Sequence, residues 1–180
     1  VPFNPKNLGS NINTSQPEYF PSLTGDGQNI IFTRVILDKN AQLRGGRQED
    51  FYASSTNDNG DWKPALSLSS TINTFFNEGA PTITADGNFL IFTSCAGVDG
   101  YGNDRTGKGS CDLFYARRLG NSWSKPRNLG APINTINWES QPCFSADGRT
   151  LYFIRSVLKQ RGRQNPEEQD IYVTHLSDEG

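Results

Sequence analysis

The sequence predicts an all-β protein that consists of three copies of one four-stranded antiparallel unit. Three observations support this: the same landmarks recur three times in 180 residues, short apolar segments alternate with turn residues, and the chain has 18 glycines and 10 prolines. Helices tolerate glycine and proline poorly, so this composition favours strands and turns. Methionine is absent and the first residue is Val1, which predicts a processed chain or one cut from a longer protein.

The landmarks recur at intervals of about 60 residues. Each copy has an Ile-Asn-Thr segment, a glutamate, a proline, an Asp-Gly pair and a later aspartate. They are Ile12–Thr14, Ile72–Thr74 and Ile133–Thr135; Glu18, Glu78 and Glu139; Pro21, Pro81 and Pro142; Asp26, Asp86 and Asp147; and Asp50, Asp112 and Asp170. Several independent positions keep the same spacing, so one repeated structural unit explains them better than chance.

Four strands are predicted in each unit. The first contains the proline and leads into the Asp-Gly turn, where glycine supplies the positive φ of a tight hairpin. The second is apolar almost throughout, which is typical of a strand covered on both faces. The second strands are Ile30–Phe32, Phe89–Phe92 and Leu151–Ile154; the third strands are Phe51–Ala53, Leu113–Tyr115 and Ile171–Val173; the fourth strands begin at Trp62 and Trp123.

Four-stranded sheets that repeat radially and stack on one another form a β-propeller. We therefore predict one β-propeller segment over residues 1–180, with blades at approximately 4–62, 63–123 and 124–180. Residues 2–5 align with the start of a fourth strand, and the third unit stops where its own fourth strand should begin. Three blades do not readily close a ring. Either two chains form a six-bladed ring or, as we favour, the chain holds three blades of a larger one.

The turns and third strands resemble the TolB-like (WD40-like) propeller repeat. That repeat has a Ser-Pro-Asp-Gly turn, an apolar strand and Asp-Ile-Tyr; here the turns are residues 24–27, 84–87 and 145–148, and residues 170–172 are Asp-Ile-Tyr. The turns of this chain lack the proline of that repeat. The unit of about 60 residues, with Asn-Leu-Gly at 7–9 and 128–130, looks like a longer variant of the same repeat. The resemblance implies a bacterial periplasmic or outer-membrane-associated protein, of a kind often fused to OmpA-like domains. It is informative about fold rather than function, because propellers host unrelated activities.

Cys95 and Cys111 are predicted to form a disulfide. Cys95 ends a second strand and Cys111 opens the paired third strand, so both lie at the neck of one hairpin loop, within disulfide range. Two reduced thiols in a cytosolic protein are the alternative. A disulfide indicates an oxidising compartment such as the periplasm or the cell exterior. Cys143 is expected to be a small buried residue rather than a nucleophile.

A repeated pair of polar residues, five apart, precedes each first strand. Radial repetition would place these residues in a ring near one mouth of the central channel, where carboxylate and amide oxygens could bind a cation or a polar ligand. Alternatively, each side chain satisfies turn amides within its own blade, which we favour because every unit repeats the pair. The channel-mouth candidates are Asn13, Glu18, Asn73, Glu78, Asn134 and Glu139.

The segments between second and third strands are predicted to be long loops on one face, over residues 34–49, 95–111 and 155–169. Loops of this length are commonly functional or mobile. Their clustered basic residues form either a solvated face diluted by acidic neighbours or a partner-binding rim for a protein or an anionic glycan. The rim candidates are Arg44, Arg47, Arg105, Lys108, Arg161 and Arg163, with Lys159 beside them.

The net charge and the absence of known motifs exclude several classes of function. With 17 basic and 19 acidic residues, the net charge of −2 argues against nucleic acid as a partner. No apolar stretch is long enough to span a bilayer. The sequence has no nucleophile elbow, phosphate-binding loop or histidine-based metal motif, so we expect no enzymatic activity, metal or cofactor.

The predicted function is a non-enzymatic scaffold that mediates protein–protein interaction at the bacterial cell envelope. Its expected partners are an envelope protein and the remaining propeller blades, which belong to a longer chain or to a second copy. The alternative is a carbohydrate-binding or glycoside-processing propeller with acidic residues at the central channel.

Overall fold

The structure is a computed structural model that describes residues 3–37, 46–97, 99–159 and 163–176. The described residues form strands, turns and irregular segments, and no helix among them is long and apolar enough to cross a bilayer. The strands are β1 (Glu18–Leu23), β2 (Asn29–Leu37), β3 (Arg47–Ser55), β4 (Leu66–Ser67), β5 (Glu78–Ile83), β6 (Phe89–Cys95), β7 (Cys111–Leu119), β8 (Ser122–Trp123), β9 (Arg127–Asn128), β10 (Trp138–Phe144), β11 (Thr150–Lys159) and β12 (Arg163–His175).

These strands form three equivalent units: unit 1 contains β1–β4, unit 2 contains β5–β9 and unit 3 contains β10–β12. Within each unit, consecutive long strands pair antiparallel. A single parallel bridge between Trp138 and Cys111 joins units 2 and 3 into one sheet. The predicted all-β class with antiparallel sheets is therefore confirmed.

The Asp-Gly turns close the first hairpin of each unit through one shared network. In unit 1, the Thr24 hydroxyl donates to Asp26 Oδ1 at 2.5 Å, and the Gln28 N–H donates to the same oxygen at 2.9 Å. Gly27 has a φ of 68°, a left-handed conformation that glycine adopts without a steric penalty. These donors lower the pKa of Asp26, the hydroxyl of Thr24 having the largest effect.

The second strands form the cores, as their apolar sequences predict. Ile31, Leu90 and Phe92 share one buried cluster with Phe51 and other residues of units 1 and 2. A second cluster joins Ile91, Leu113, Leu151 and Phe153 between units 2 and 3, and a third contains Ile12, Ile30 and Phe32. The strands β2 and β6 are buried at consecutive positions, as predicted for strands covered on both faces. The prediction is wrong for β11, where Leu151 and Phe153 are buried and Tyr152, on the other face, is 46% exposed.

The fourth strand and the loops differ from the sequence prediction. Neither tryptophan begins the fourth strand: Trp123 ends the two-residue β8, and Trp62 forms an isolated bridge with Thr56. The equivalent fourth strands are β4, which starts at Leu66, and β9, which starts at Arg127. The segments between second and third strands are partly strand: β2 and β3 extend into the predicted 34–49 loop, and β11 and β12 extend into the 155–169 loop. Continued backbone pairing, as between Leu37 and Arg47, lengthens these hairpins.

Candidate functional site

The repeated glutamates are held by threonines of their own units. The Thr74 hydroxyl donates to Glu78 Oε1 at 2.7 Å, and the Thr74 N–H donates to Oε2 at 2.9 Å. Glu18 accepts equivalent bonds from Thr14, and Glu139 accepts them from Thr135. The Thr of each Ile-Asn-Thr segment and the glutamate four residues later thus form one closed turn.

An arginine completes each of these turns. Arg34 Nε donates to Glu18 at 2.9 Å, and Arg155 Nε donates to Glu139 at 2.8 Å; each arginine lies opposite its glutamate in the first hairpin. Both arginines also donate to the carbonyl of the isoleucine in the Ile-Asn-Thr segment, Ile12 or Ile133. Both guanidinium groups lie over aromatic rings, at 4.1 Å from the Tyr52 centroid and 4.4 Å from the Tyr172 centroid.

Unit 2 builds the same contact from a different part of the chain. The residue opposite Glu78 is Ser94, which cannot supply a positive charge. Arg105, from the segment between β6 and β7, donates to Glu78 Oε1 at 2.9 Å and to the Ile72 carbonyl. Its guanidinium lies 5.6 Å from the Phe92 ring centroid. Glu78 and Arg105 are both fully buried, with 0% side-chain exposure.

Burial shifts the ionisation of this pair. Removal from water raises the pKa of Glu78 to about 7, although Arg105 and the two Thr74 donors act in the opposite direction. Desolvation also lowers the pKa of Arg105. The Nε atom of Arg105 is buried without a hydrogen-bond partner among the described residues, because this arginine uses Nη1 and Nη2 rather than Nε.

Two of the repeated asparagines, Asn73 and Asn134, join their Ile-Asn-Thr segments to the third strand of the preceding unit, whereas Asn13 Nδ2 donates to Asn7 Oδ1 at 3.0 Å. Asn73 Oδ1 accepts the Phe51 N–H and its Nδ2 donates to the Phe51 carbonyl, each at 3.0 Å. Asn134 makes the same pair of bonds with Leu113, at 2.9 and 2.8 Å. The asparagine side chain therefore makes hydrogen bonds to the third strand that a neighbouring strand would otherwise make, just past the residues that pair with β4 or β9.

Two of the repeated aspartates, Asp50 and Asp112, also make hydrogen bonds within the protein. Asp112 accepts the N–H groups of Lys108 and Gly109 and the side-chain amide of Asn128. Asp50 accepts a bond from Gln48 Nε2 at 2.7 Å. Among the described residues, no group of three His, Cys, Asp or Glu side chains is arranged to hold a metal ion.

The predicted disulfide between Cys95 and Cys111 is confirmed. The two residues are opposite each other at the end of the β6–β7 hairpin, and they close the segment 96–110 that carries Arg105. This segment packs on the protein: Tyr101 is buried in the core cluster, and the Asn103 amide donates to the Ser70 carbonyl at 2.7 Å. The expectation for Cys143 is wrong, because it is an exposed free cysteine.

The basic rim candidates separate into three groups. Arg47 and Lys108 are exposed on the described surface. Arg105 is buried, which corrects its assignment to the rim, because Glu78 and the Ile72 carbonyl draw the guanidinium inward. Arg44 and Arg161 lie outside the described residues, and the side chains of Arg163 and Lys159 also lie outside the described part of the structure.

A cleft of about 570 Å³ opens beside Arg47. The Tyr19 hydroxyl donates to Glu49 Oε1 across this cleft at 2.6 Å, and the Glu49 N–H donates to Asn77 Oδ1 at 3.0 Å. Desolvation, together with the Glu49 carboxylate, raises the pKa of Tyr19 well above its usual value. An aromatic ring, a carboxylate, an amide and an exposed guanidinium thus surround one opening, a combination that suits a polar partner.

The first strands of the three units meet at a second groove, of about 280 Å³. Its lining is three equivalent triplets: Phe20–Ser22, Ala80–Thr82 and Gln141–Cys143. The first residue of each triplet has a left-handed φ, 53°, 50° and 54°, which marks a β-bulge before each proline. None of the six channel-mouth candidates is among the residues that line this groove.

Sequence reasoning missed two parts of these sites. It did not find the partner arginines, although Arg34 and Arg155 recur at the repeat spacing while Ser94 interrupts the series. It also missed the Tyr19–Glu49 pair, because neither residue has an equivalent in the other units: Gly79 and Ser140 replace Tyr19. Repetition finds what units share, so a contact unique to one unit gives no such signal.

Comparison with solved structures places this geometry among β-rich folds of the TolB type. The chain is similar to TolB from Acinetobacter baumannii, a β-propeller, with a TM-score of 0.50 and 14% sequence identity over 87% of this chain and 29% of that one. It is also similar to a puromycin-hydrolysing peptidase from Mycobacterium tuberculosis, with a TM-score of 0.48 and 14% identity over 92% of this chain and 23% of that one.

The similarity to TolB concerns the fold alone, and the chain spans less than a third of the length of either of these proteins. No protein-family model matches the sequence. No curated protein sequence matches it either.

Proposed function

We propose that the three units are blades of a β-propeller and that the protein is a non-enzymatic scaffold for protein–protein interaction at the bacterial cell envelope. The observation that carries this proposal is the engagement of Glu18, Glu78 and Glu139 by threonine and arginine within their own units. Carboxylates held this way stabilise the turns, and they are poor candidates for a nucleophile or a general acid, which must reach a substrate. The disulfide between Cys95 and Cys111 supports an oxidising compartment.

The proposed partner-binding surface is the cleft around Tyr19 and Glu49, together with the exposed Arg47 and Lys108. Tyrosine and arginine are enriched in protein interfaces, where a ring and a planar guanidinium combine apolar contact with hydrogen bonding. Glu49 and Arg47 offer both signs of charge at one opening, so the partner should present complementary charges there. The cleft lies at the end of β3 that adjoins the β2–β3 connection.

Site-specific photocrosslinking tests this surface. A photoreactive residue at position 47 or 108 should crosslink one protein from a bacterial envelope fraction, and Arg47→Glu should abolish the product at position 108. Gln28, which is exposed in the turn at the opposite end of β2, is the matched control position. The same products from position 28, or no product from 47 and 108, would contradict the proposal.

The alternative function, carbohydrate binding or glycoside processing, rests on the same cleft. An aromatic ring beside a carboxylate is suited to a sugar, because the ring can stack on a sugar face while Glu49 accepts hydroxyl protons. Titration with soluble glycans, monitored by isothermal titration calorimetry, separates the two functions. Saturable binding that Tyr19→Phe weakens and Glu49→Gln abolishes would favour the carbohydrate function, and glycan hydrolysis would overturn the non-enzymatic assignment.

A further inference from the structure

A cleft of about 430 Å³ opens at the seam between units 1 and 2, and we call it the seam cleft. Its volume lies within the range of about 300–1,000 Å³ that is usual for small-molecule sites. Unit 1 supplies one wall and unit 2 supplies the other; Ile31 and Leu68, which pack in the core between these units, line it as well. The seam cleft shares no lining residue with the cleft around Tyr19.

The seam cleft exists because unit 1 has small side chains where unit 2 has aromatic rings. In unit 2, Phe89 and Tyr115 stack with their ring centroids 5.3 Å apart. The strand register makes Asn29 and Ala53 the equivalent residues of unit 1. An amide and a methyl group take up less volume than two rings, so space remains between the units. The same change makes this wall polar, since Ser55 lies opposite Asn29.

Two basic side chains line the seam cleft, and none of its lining residues is acidic. Lys63 belongs to the wall of unit 1, and Arg118 belongs to the wall of unit 2. Both residues are exposed, and neither forms an ion pair with a described carboxylate. Two positive charges at one opening, with no negative charge in its lining, attract an anion.

Hydrogen bonds hold both basic residues in place. The Lys63 N–H donates to the Ser55 carbonyl at 2.9 Å, and the Ser54 hydroxyl donates to the Lys63 carbonyl at 2.5 Å. Arg118 Nε donates to the Gly120 carbonyl at 3.1 Å. This bond leaves Nη1 and Nη2 of Arg118 for a ligand, and together they can bind both oxygens of one carboxylate.

The rest of the lining combines hydrogen-bonding groups with apolar surface. Among the described residues, the Ser55 hydroxyl and the Asn121 side-chain amide have no hydrogen-bond partner, so both can bind hydroxyl groups of a ligand. Leu66, which is 72% exposed, and Trp123 provide apolar surface, and the Trp123 ring centroid lies 5.9 Å from the Arg118 guanidinium. A ligand that matches this lining has a negative charge, hydroxyl groups and an apolar face.

We propose that the seam cleft binds a hydroxylated carboxylate, which is the chemistry that an acidic sugar presents. The carboxylate lies between the Arg118 guanidinium and the Lys63 ammonium, and the hydroxyl groups bond Ser55 and Asn121. The apolar face of the sugar ring packs against Trp123. This site goes beyond the proposed scaffold function and uses a different surface, so its failure would leave that function untouched.

Binding of glucuronate tests the proposal. The chain has three tryptophans, and NMR follows their indole N–H signals; the signal lost in Trp123→Phe is that of Trp123. Glucuronate should shift this signal saturably and leave that of Trp138, which does not line the cleft, unchanged. Glucose lacks the charge and acetate lacks the ring, so each should bind about tenfold more weakly or worse. No saturable shift with glucuronate, or equally tight binding of glucose or acetate, would overturn the proposal.

Replacement of the two basic residues tests their role. Arg118→Met and Lys63→Met should each weaken glucuronate binding about tenfold, the effect of losing one hydrogen bond to a charged group. Arg117→Met is the matched control, because Arg117 is the exposed neighbour of Arg118 on β7 but lines the cleft between units 2 and 3. Equal losses from Arg117→Met and Arg118→Met would show that general charge attraction, rather than the seam cleft, binds the anion.

Filling the cleft tests its location. Asn29→Phe combined with Ala53→Tyr introduces the ring pair of unit 2 and should abolish glucuronate binding, while an unchanged Trp138 signal shows that the variant is folded. Ala53→Leu, which adds less volume, should weaken binding in the same direction. Binding that neither folded variant reduces would contradict the seam cleft as the site.

The length of the saccharide distinguishes two sources of this chemistry, since a free sugar acid and the terminal residue of an acidic polysaccharide present the same carboxylate. Tighter binding of a glucuronate oligomer than of the monomer would assign the site to a polysaccharide, and equal or weaker binding would assign it to the free acid. Binding of neither would overturn the proposal.

Discussion

Arg105, which lies between β6 and β7, forms the ion pair with Glu78 that a strand arginine forms with the equivalent glutamate in units 1 and 3. In units 1 and 3 the strand position opposite the glutamate is Arg34 or Arg155, and in unit 2 it is Ser94. The Arg105 guanidinium nevertheless reaches the glutamate at 2.9 Å and bonds the isoleucine carbonyl that is equivalent to the one bound in the other units. The geometry of the contact is thus kept while its origin in the chain changes.

Replacing Arg105 by methionine should destabilise the protein by about 3–5 kcal/mol, the usual effect of removing one partner of a buried ion pair. The reason is that Glu78 would remain buried without its positive partner. Urea unfolding, followed by tryptophan fluorescence, measures this loss.

The matched control for Arg105 is Arg34→Met. Arg34 and Glu18 retain 10% and 12% side-chain exposure, so water can partly solvate the remaining carboxylate, and the loss should be smaller. An Arg105→Met variant as stable as the Arg34→Met variant would contradict the importance of burial.

The stability of the protein should depend on Glu78 between about pH 4.5 and 7. Because burial raises the folded-state pKa of Glu78 to about 7, the folded protein binds a proton more tightly than the unfolded chain. The contribution of this group is therefore fully present below its unfolded pKa, and it is lost as the pH rises through the folded value. Glu78→Gln should remove this part of the pH dependence of unfolding free energy. An identical pH profile of stability in the variant and the wild type would refute the assignment of this pH dependence to Glu78.

Replacing both Cys95 and Cys111 by serine should lower stability by about 3 kcal/mol, the amount that loop closure gives for a loop of this size. The two cysteines are 16 residues apart and enclose the segment that carries Arg105, so this segment should also become more sensitive to proteases. Denaturant midpoints and limited proteolysis measure the two effects. Cys143→Ser, at an exposed free thiol, is the control and should leave both unchanged.

Asn73→Ala should cost about 1–3 kcal/mol, because it leaves the buried N–H of Phe51 without a partner, while the Phe51 carbonyl keeps the Leu68 N–H at 2.9 Å. Asn134→Ala should have a similar effect through Leu113. Asn13→Ala is the matched control: the described hydrogen bond of the Asn13 side chain goes to Asn7 Oδ1 rather than to a third strand, so this substitution should cost little. Equal losses at positions 13 and 73 would show that the bonds to the third strand contribute nothing.

Much of the fold could be predicted from the sequence, since each hairpin follows from local chemistry. Asp26-Gly27 specifies a turn, and Ile30–Phe32 specifies a strand buried on both faces; both predictions agree with the structure. The disulfide was predictable as well, because hairpin register brings Cys95 opposite Cys111. The ends of the strands were less predictable. β2 and β3 extend past their apolar segments through backbone hydrogen bonds, and such bonds leave no clear pattern of side chains in the sequence.

The sequence by itself determined the repeated unit, its turns and its glutamates, because each depends on residues close together in the chain and recurs at one spacing. Only the tertiary structure decided that Arg105 is buried against Glu78 rather than exposed on a rim. The path of a long segment is set by packing, here of Tyr101 on Phe114, and not by local propensity. Tertiary packing likewise decided that Ile171 is exposed while Phe51 and Leu113 are buried, since burial depends on the neighbouring strand that covers each residue.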